Sequence, residues 1–160
     1  MGCGPLAGPH EVKSSQRPAV VAVLVALPVL LLLAGCGVVS KPDATAWDDQ
    51  ATQALTDAGS EVATARLALE SARRERTWSS YTTVLVAEAE EAAAKAEEDL
   101  SRLQVPASRR DDAAQVLDLL DHAVDLVSEA RAHAVAGRYD DKALVHRLDH
   151  LSDQLQQAAP

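Results

Sequence analysis

The spacing of apolar residues between positions 46 and 155 most limits what this chain can fold into. Apolar side chains recur there at steps of three and four residues, without the period of two that a half-buried strand requires. Such steps place the side chains on one side of an α-helix, where they can face a shared core. Ala and Leu dominate the repeats, a composition typical of long packed helices. The pattern predicts an all-α domain over residues 45–160.

The first two helices are delimited by capping residues and by a proline. The first is predicted over about residues 46–76 and opens with Thr45 and Asp48, spaced as in a capping box. The second is predicted over about residues 81–103 and ends before Pro106, because the residue before a proline avoids helical backbone angles. The side chains expected to face the core from this second helix are Leu85, Ala89, Ala92, Ala96, Leu100 and Leu103.

Capping residues and a glycine delimit the last two helices. The third is predicted over about residues 109–136, with Ser108 and Asp111 at its start and Gly137 in a left-handed position after its end. Asp140 is expected to cap the fourth, whose core residues are Leu144, Leu148, Leu151 and Leu155. Four amphipathic helices with short connections favour an up-down-up-down antiparallel four-helix bundle. Closely packed Ala and Leu seams leave little space inside such a bundle, so we expect no cofactor.

The first 35 residues have the composition of an export signal. Lys13 and Arg17 precede residues 19–33, a run of apolar residues without any charge. This run is slightly short for a membrane-spanning helix, and Pro28 interrupts it. A signal that began at Val12 would have an ordinary length, so residues 1–11 are interpreted as an over-extended start.

Leu33, Ala34, Gly35 and Cys36 follow the apolar run directly, and this L-A-G-C sequence resembles the lipobox of bacterial lipoproteins. The resemblance implies a diacylglyceryl group on the Cys36 thiol and cleavage between Gly35 and Cys36. Residues 1–35 would then be a cleaved signal peptide and residues 36–44 a lipidated cysteine with a short linker. An uncleaved membrane anchor that happens to end in Gly-Cys is the alternative.

The lipobox resemblance also implies a location. Acyl chains on Cys36, of the palmitate kind, would hold the domain on the extracytoplasmic side of the cell membrane. The helical part resembles uncharacterised small helical lipoproteins of high-GC Gram-positive bacteria. Without residues 1–35 the chain would keep no other cysteine, so packing of the helices alone would have to stabilise it.

The charge of the chain argues against a nucleic-acid partner. The whole sequence has a net charge of −9, and without residues 1–35 it has 13 basic and 23 acidic residues, a net of −10. Phosphate contacts need clustered Lys and Arg, which an acidic domain lacks over most of its surface. Most of the acidic residues are expected to be solvated helix surface.

No residue pattern indicates catalysis. Nucleophile motifs such as G-x-S-x-G and S-x-x-K, and the zinc motif H-E-x-x-H, do not occur, so the protein is not expected to be an enzyme. His146 and His150, four residues apart on the fourth helix, are weak candidates for a metal site. A zinc site usually needs three or four converging ligands, and no metal is expected.

Basic and aromatic residues concentrate near two of the predicted helix connections. In an antiparallel bundle, the connection between the first two helices and that between the last two lie at the same end. The residues in question are Arg73, Arg74, Arg76, Trp78, Tyr81, Arg131, Arg138, Tyr139 and Lys142. Arg, Trp and Tyr are enriched where proteins bind partners. Alternatively, the aromatic rings close the open end of the bundle and the basic residues favour helix C-termini.

The sequence therefore predicts a membrane-anchored, non-enzymatic lipoprotein of the cell envelope. It would bind an envelope protein or an anionic wall polymer through the end that carries these basic and aromatic residues. The alternative function is binding of a metal or small ligand by surface His residues and carboxylates, His146 and His150 among them.

Overall fold

Four α-helices and one short 3-10 turn account for the regular structure of residues 43–159, the part of the chain that the computed structural model describes. The helices are α1 (Ala44–Arg73), α2 (Ser79–Ser101), α3 (Arg110–Val135) and α4 (Lys142–Ala158), and the 3-10 turn covers Ala107–Arg109. These residues include no strand, which confirms the prediction of an all-α domain. The predicted signal peptide, Gly35, Cys36 and most of the predicted linker lie outside the described residues. None of the four helices is long and apolar enough to cross a membrane.

Helix α1 is the centre of the packing. It packs against each of the other three helices, α2 also packs along α3, and α3 and α4 touch only slightly. Apolar residues at steps of three and four in the sequence predict a core side for α1, and all of them are buried: Leu55, Ala58, Val62, Ala65, Leu69 and Ala72. The four leucines predicted to face the core from α4 are each at most 1% exposed. The apolar spacing therefore identified the core sides of α1 and α4.

Specific contacts relate the ends of the helices. Asp48 near the start of α1 pairs with Arg109 just before α3. Arg66 toward the end of α1 pairs with Asp149 in the first half of α4, at 3.4 Å. Early α1 and late α2 line a common groove that includes Asp57 and Asp99. The end of α1 is thus close to the start of α4, and its start is close to the end of α2.

Gly59 lies on the side of α1 that contacts α4. A Cβ atom at this position would lie 3.4 Å from the Leu155 Cβ. The Ser152 hydroxyl donates to the Gly59 carbonyl oxygen at 3.4 Å. A glycine inside a helix lowers helix stability by about 1 kcal/mol relative to alanine. At this position, the absence of a side chain leaves room for Leu155 of α4 beside α1.

The predicted starts of three helices were wrong. The Asp43 carboxylate caps α1 by accepting from the Thr45 amide at 3.1 Å, so Thr45 is inside the helix. Asp141, not Asp140, caps α4, and it accepts from two amides of the first turn. No side-chain hydrogen bond caps α3, which follows the 3-10 turn directly, so the predicted cap at Ser108 and Asp111 is absent.

The two helices that end next to one another stop in the same way. After α1, the Arg76 amide donates to the Ser71 carbonyl oxygen, and Glu75 adopts a left-handed φ of 55°. After α3, the Arg138 amide donates to the His133 carbonyl oxygen, and Gly137 has a φ of 66°. This is the Schellman arrangement, confirmed at Gly137 as predicted. At Glu75 it ends α1 at Arg73, before the predicted residue 76.

The predicted core side of α2 was rotated by about one residue. The buried residues are Thr82, Val86, Ala89, Ala93 and Leu100. Leu85, Ala92 and Ala96 are only half-buried, and Leu103 lies beyond the end of the helix and is exposed. In this Ala-rich helix neighbouring stripes have almost equal hydrophobicity, so the spacing did not distinguish them. Contact with both α1 and α3 decides which stripe is buried.

Candidate partner-binding surface

The predicted basic and aromatic residues lie at one end of the packed helices. We call residues 73–82 and 131–142 the basic end. Arg73, in the last turn of α1, lines a groove of about 280 Å³ together with Tyr139, Asp140 and Lys142 of the second segment. Residues from both segments therefore share one surface.

Charge separates the basic end from the rest of the described chain. Residues 73–82 and 131–142 contain six basic and three acidic residues, a net charge of +3. The rest of residues 43–159 contain six basic and twenty acidic residues, a net of −14. Helix C-termini favour basic residues over about one turn, and two of these helices end here. The basic end is a local positive region on an acidic domain.

Several of the basic side chains form no ion pair with any described residue. Arg74 approaches Glu70 to 3.7 Å, and Arg131 pairs with Glu90 of α2. Within the described part of the chain, the basic residues of this end with no carboxylate oxygen within 4.0 Å are Arg73, Arg76, Arg138 and Lys142. Their charges are available to an external anion.

The three aromatic residues of the basic end are in different environments. Trp78 is 84% exposed and Tyr81 is 55% exposed, so neither covers the core. Tyr139 is half-buried, packs against the core, and its hydroxyl donates to the Ala134 carbonyl oxygen at 3.3 Å. The alternative that aromatic rings close this end of the bundle therefore holds for Tyr139 and does not hold for Trp78 and Tyr81.

A pair of threonines fixes the backbone beside Trp78. The fully buried Thr82 hydroxyl donates to the Trp78 carbonyl oxygen at 3.1 Å. Its oxygen is 3.1 Å from the Thr77 hydroxyl oxygen, and since the Thr82 proton is already used, Thr77 must be the donor. No side-chain hydrogen bond caps the first turn of α2, and the side chain of Trp78 takes no part in the threonine pair.

Polar contacts also order the second connection. Hydrogen bonds from the backbone amides of Leu144 and Ala143 hold the pKa of Asp141 below its usual value. His133 Nδ1 lies 3.8 Å from the other Asp141 oxygen, and Arg147 donates to Glu129 one turn earlier on α3. The Arg147 hydrogen bond in turn lowers the pKa of Glu129. These contacts orient the start of α4 relative to the end of α3.

The weak metal candidates do not converge. His146 and His150 are exposed on α4. No group of three or more His, Cys, Asp or Glu residues that could hold a metal ion occurs within residues 43–159. The alternative function in metal binding thus gains no support from the arrangement of these two residues.

A second groove, which the sequence did not indicate, lies at the other end of α1. Trp47, Arg109, Val116 and Ala158 line this open groove of about 400 Å³. Arg109 donates to both carboxylate oxygens of Asp48 at 2.7 Å. We call residues 43–48, 101–112 and 155–159, which meet around this groove, the Trp47 end. The two partners are 61 positions apart, so no local pattern could have revealed the pair.

Comparison of the chain with protein-family models, with curated proteins and with solved structures finds no match.

Proposed function

We propose that this protein is a membrane-anchored, non-enzymatic lipoprotein of the cell envelope that binds a partner through its basic end. The partner is an envelope protein or an anionic wall polymer. The binding surface consists of Arg73, Arg74, Arg76, Trp78, Tyr81, Arg138, Tyr139 and Lys142.

The exposure of Trp78 and Tyr81 within the basic end is the observation that supports this proposal most strongly. A Trp that is 84% exposed contributes little to the core and leaves a large apolar ring in water. Trp78 follows Arg76 by two positions in the basic end, and Arg together with Trp and Tyr is the combination enriched at binding hot spots. The Thr77 and Thr82 hydrogen bonds hold the backbone of Trp78 in place, which lowers the entropy lost on binding.

The proposed anchor and topology are compatible with this role. In an up-down-up-down bundle anchored through Cys36, α1 would lead from the membrane toward the basic end. The 30 residues of α1 span about 45 Å at 1.5 Å each. The basic end would then be the part of the domain that is farthest from the lipid and nearest to the wall.

Binding of the detergent-solubilised full chain to cell-envelope fragments, followed by pelleting across a salt series, tests the proposal. Replacing Arg73, Arg74 and Arg76 by Ser should weaken retention most at low salt, because exposed charges act only over about 8–10 Å at higher salt. Trp78→Ala should also weaken retention, with less dependence on salt, since its contribution would be buried apolar area.

Asp111 and Asp112 provide the matched control. Both are exposed in the first turn of α3, at the Trp47 end. Their replacement by Asn changes surface charge without touching the basic end and should leave retention unchanged. Equal retention of the wild-type chain and the triple Arg variant at every salt concentration would contradict the proposal.

The anchor has a separate test. Cys36→Ser should accumulate as an unlipidated precursor, because the serine hydroxyl cannot replace the thiolate in the lipid transfer. Mass spectrometry of the membrane fraction measures both the lipid and the new N-terminus. Normal cleavage after Gly35 in this variant would remove the lipobox interpretation and leave the binding proposal in place.

A further inference from the structure

We infer that the partner of the basic end is a protein segment in which apolar side chains are flanked by acidic residues, and not an anionic wall polymer. The inference rests on the proposed function and specifies its partner. It depends on exposed aliphatic side chains near the basic end. The binding of an anion by the basic residues and the two aromatic rings would not require these aliphatic side chains.

Exposed apolar side chains are concentrated around the basic end. Six large hydrophobic side chains are exposed among residues 43–159, and five of them are in the basic end or within two helical turns of it. These five are Leu67, Trp78, Tyr81, Val84 and Val135. The sixth, Leu103, is the least exposed and follows α2 within the Trp47 end. Single exposed apolar residues are ordinary on a protein surface, but a cluster of this kind marks an interaction site.

Three of these side chains lie on two neighbouring helices, α1 and α2. Leu67 and Arg74 are seven residues apart on α1, so they share a face. Tyr81 and Val84 are three residues apart on α2 and are neighbours in the same way. The two helices pack against each other and are joined by residues 74–78. Leu67 on α1 and Tyr81 and Val84 on α2 are thus exposed on adjacent helices, close to the connection that contains Trp78. We call these three residues the apolar strip.

The aliphatic members of the strip decide between the two partner classes. A polyanion would be held by Arg side chains and could stack sugars or bases on Trp78 and Tyr81. It would gain nothing from Leu67 and Val84, which are each about half exposed. A protein segment would bury the exposed half of each, and the two side chains together would strengthen binding by about tenfold or more.

The positive charge beside the strip selects an acidic segment. A second copy of this chain would bring the same net charge of +3 against itself if it paired through this strip. Like charges placed together at an interface oppose association. An acidic segment would instead complement Arg73, Arg74 and Arg76, while its apolar residues cover the strip.

Pelleting with envelope fragments that are either intact or treated with proteinase K tests the inference. The intact fragments present both envelope proteins and polymers, whereas the treated fragments present the polymers alone. We expect the full chain in detergent to lose about tenfold or more of its binding strength on the treated fragments. The double variant L67S/V84S should show a similar loss on the intact fragments. L103S removes an exposed apolar side chain at a distance from the basic end and should bind like the wild-type chain.

The possible outcomes separate this inference from the proposed function. Undiminished binding to proteinase-treated fragments, or undiminished binding of L67S/V84S to intact ones, would overturn the protein partner. If the triple Arg variant still binds less in that case, the proposed function stands with a polymer as the partner. Binding that depends on neither the Arg residues nor Leu67 and Val84 would overturn both. Circular dichroism of L67S/V84S checks that the helices remain, which is expected because both positions are exposed.

Discussion

The two tryptophans of the described chain lie at opposite ends of the helices and have opposite environments. Trp47 is 5% exposed, within the hydrophobic core. Trp78 is 84% exposed, beside α2 in the basic end. The Trp47 end also contains the buried Pro106 and the ion pair of Asp48 with Arg109. The same residue type thus stabilises one end of the domain and is available for binding at the other.

The difference follows from where each tryptophan lies relative to a helix stripe. Trp47 is four residues before Ala51 and seven before Ala54 on α1, so it continues the buried face of that helix. Trp78 is the residue before α2, where the backbone is extended, and no helical repeat directs its side chain inward. Position within the repeat, and not the type of side chain, decides burial.

Truncation of the two tryptophans should have the largest and most unequal effects on stability. Trp47→Ala should lower the free energy of unfolding by about 3–5 kcal/mol, because it removes a large side chain from the core. Trp78→Ala should change it by less than about 0.5 kcal/mol, as expected at an exposed position. Urea denaturation followed by circular dichroism measures both. Equal losses would show that the two ends are built alike.

A truncation between the two ends provides the reference for this comparison. Leu148 is fully buried on α4, the helix that packs mainly against α1. Leu148→Ala should lower the free energy of unfolding by about 2–5 kcal/mol in the same assay, since a cavity remains where the side chain was. His150→Ala, two residues away on the exposed side of α4, is the control and should have little effect. A loss for Leu148→Ala as small as that of the control would contradict the packing of α4.

The left-handed residues after α1 and α3 allow a smaller and reciprocal test within the basic end. Gly137→Ala should lower the free energy of unfolding by about 1 kcal/mol, because alanine is strained at a φ of 66°. Steric crowding would not add to this loss, since no heavy atom lies within 4 Å of the added Cβ. Glu75→Gly should raise it by about 1 kcal/mol by relieving the same strain at a φ of 55°. Thermal denaturation of the two variants measures the shifts, and shifts in the same direction would refute the shared arrangement.

The ion pair at the Trp47 end should make stability fall in acid, which is the smallest effect predicted. The hydrogen bonds from Arg109 hold the pKa of Asp48 below its ordinary value of 3.8. A depressed pKa stabilises the folded state above the unfolded-state pKa, and this contribution disappears as the pH falls through the lower folded-state value.

Asp48→Asn isolates that contribution. The variant should be less stable than the wild-type chain near neutral pH, and the difference should shrink as the pH falls below about 4. Thermal denaturation over a pH series measures the two curves. Asp111→Asn, an exposed carboxylate two residues after Arg109, is the matched control. Parallel curves for wild type and Asp48→Asn would show that the pair with Arg109 does not contribute.

Local signals predicted some elements of the structure and failed at others for identifiable reasons. Leucines at steps of three and four defined the buried face of α4, because each alternative face is polar. In α2 the faces are filled with Ala, so the same reasoning chose a stripe about one residue away. Gly137 was predicted because a left-handed backbone favours glycine. Glu75 has the same conformation without that signal, and the end of α1 was therefore placed too late.

The candidate surface was predicted as a set of residues, but its character was not. The concentration of Arg, Trp and Tyr in residues 73–82 and 131–142 is visible in the sequence. The exposure of Trp78 and the partial burial of Tyr139 are not, because each depends on contacts between separate helices. The strip formed by Leu67, Tyr81 and Val84 likewise requires α1 and α2 to be side by side.

The sequence by itself determined that this part of the chain is helical. The spacing of its apolar residues and the prolines and glycines that end helices are local signals, which do not depend on contacts between helices. Only the tertiary structure decided which Ala stripe of α2 is buried and how closely α4 approaches α1 at Gly59. It also decided the partner of Asp48, which is Arg109, 61 positions away. These outcomes depend on contacts between helices. The free energy gained by burying one side of a helix depends on which side of the neighbouring helix packs against it. A repeat in one helix contains no information about that choice.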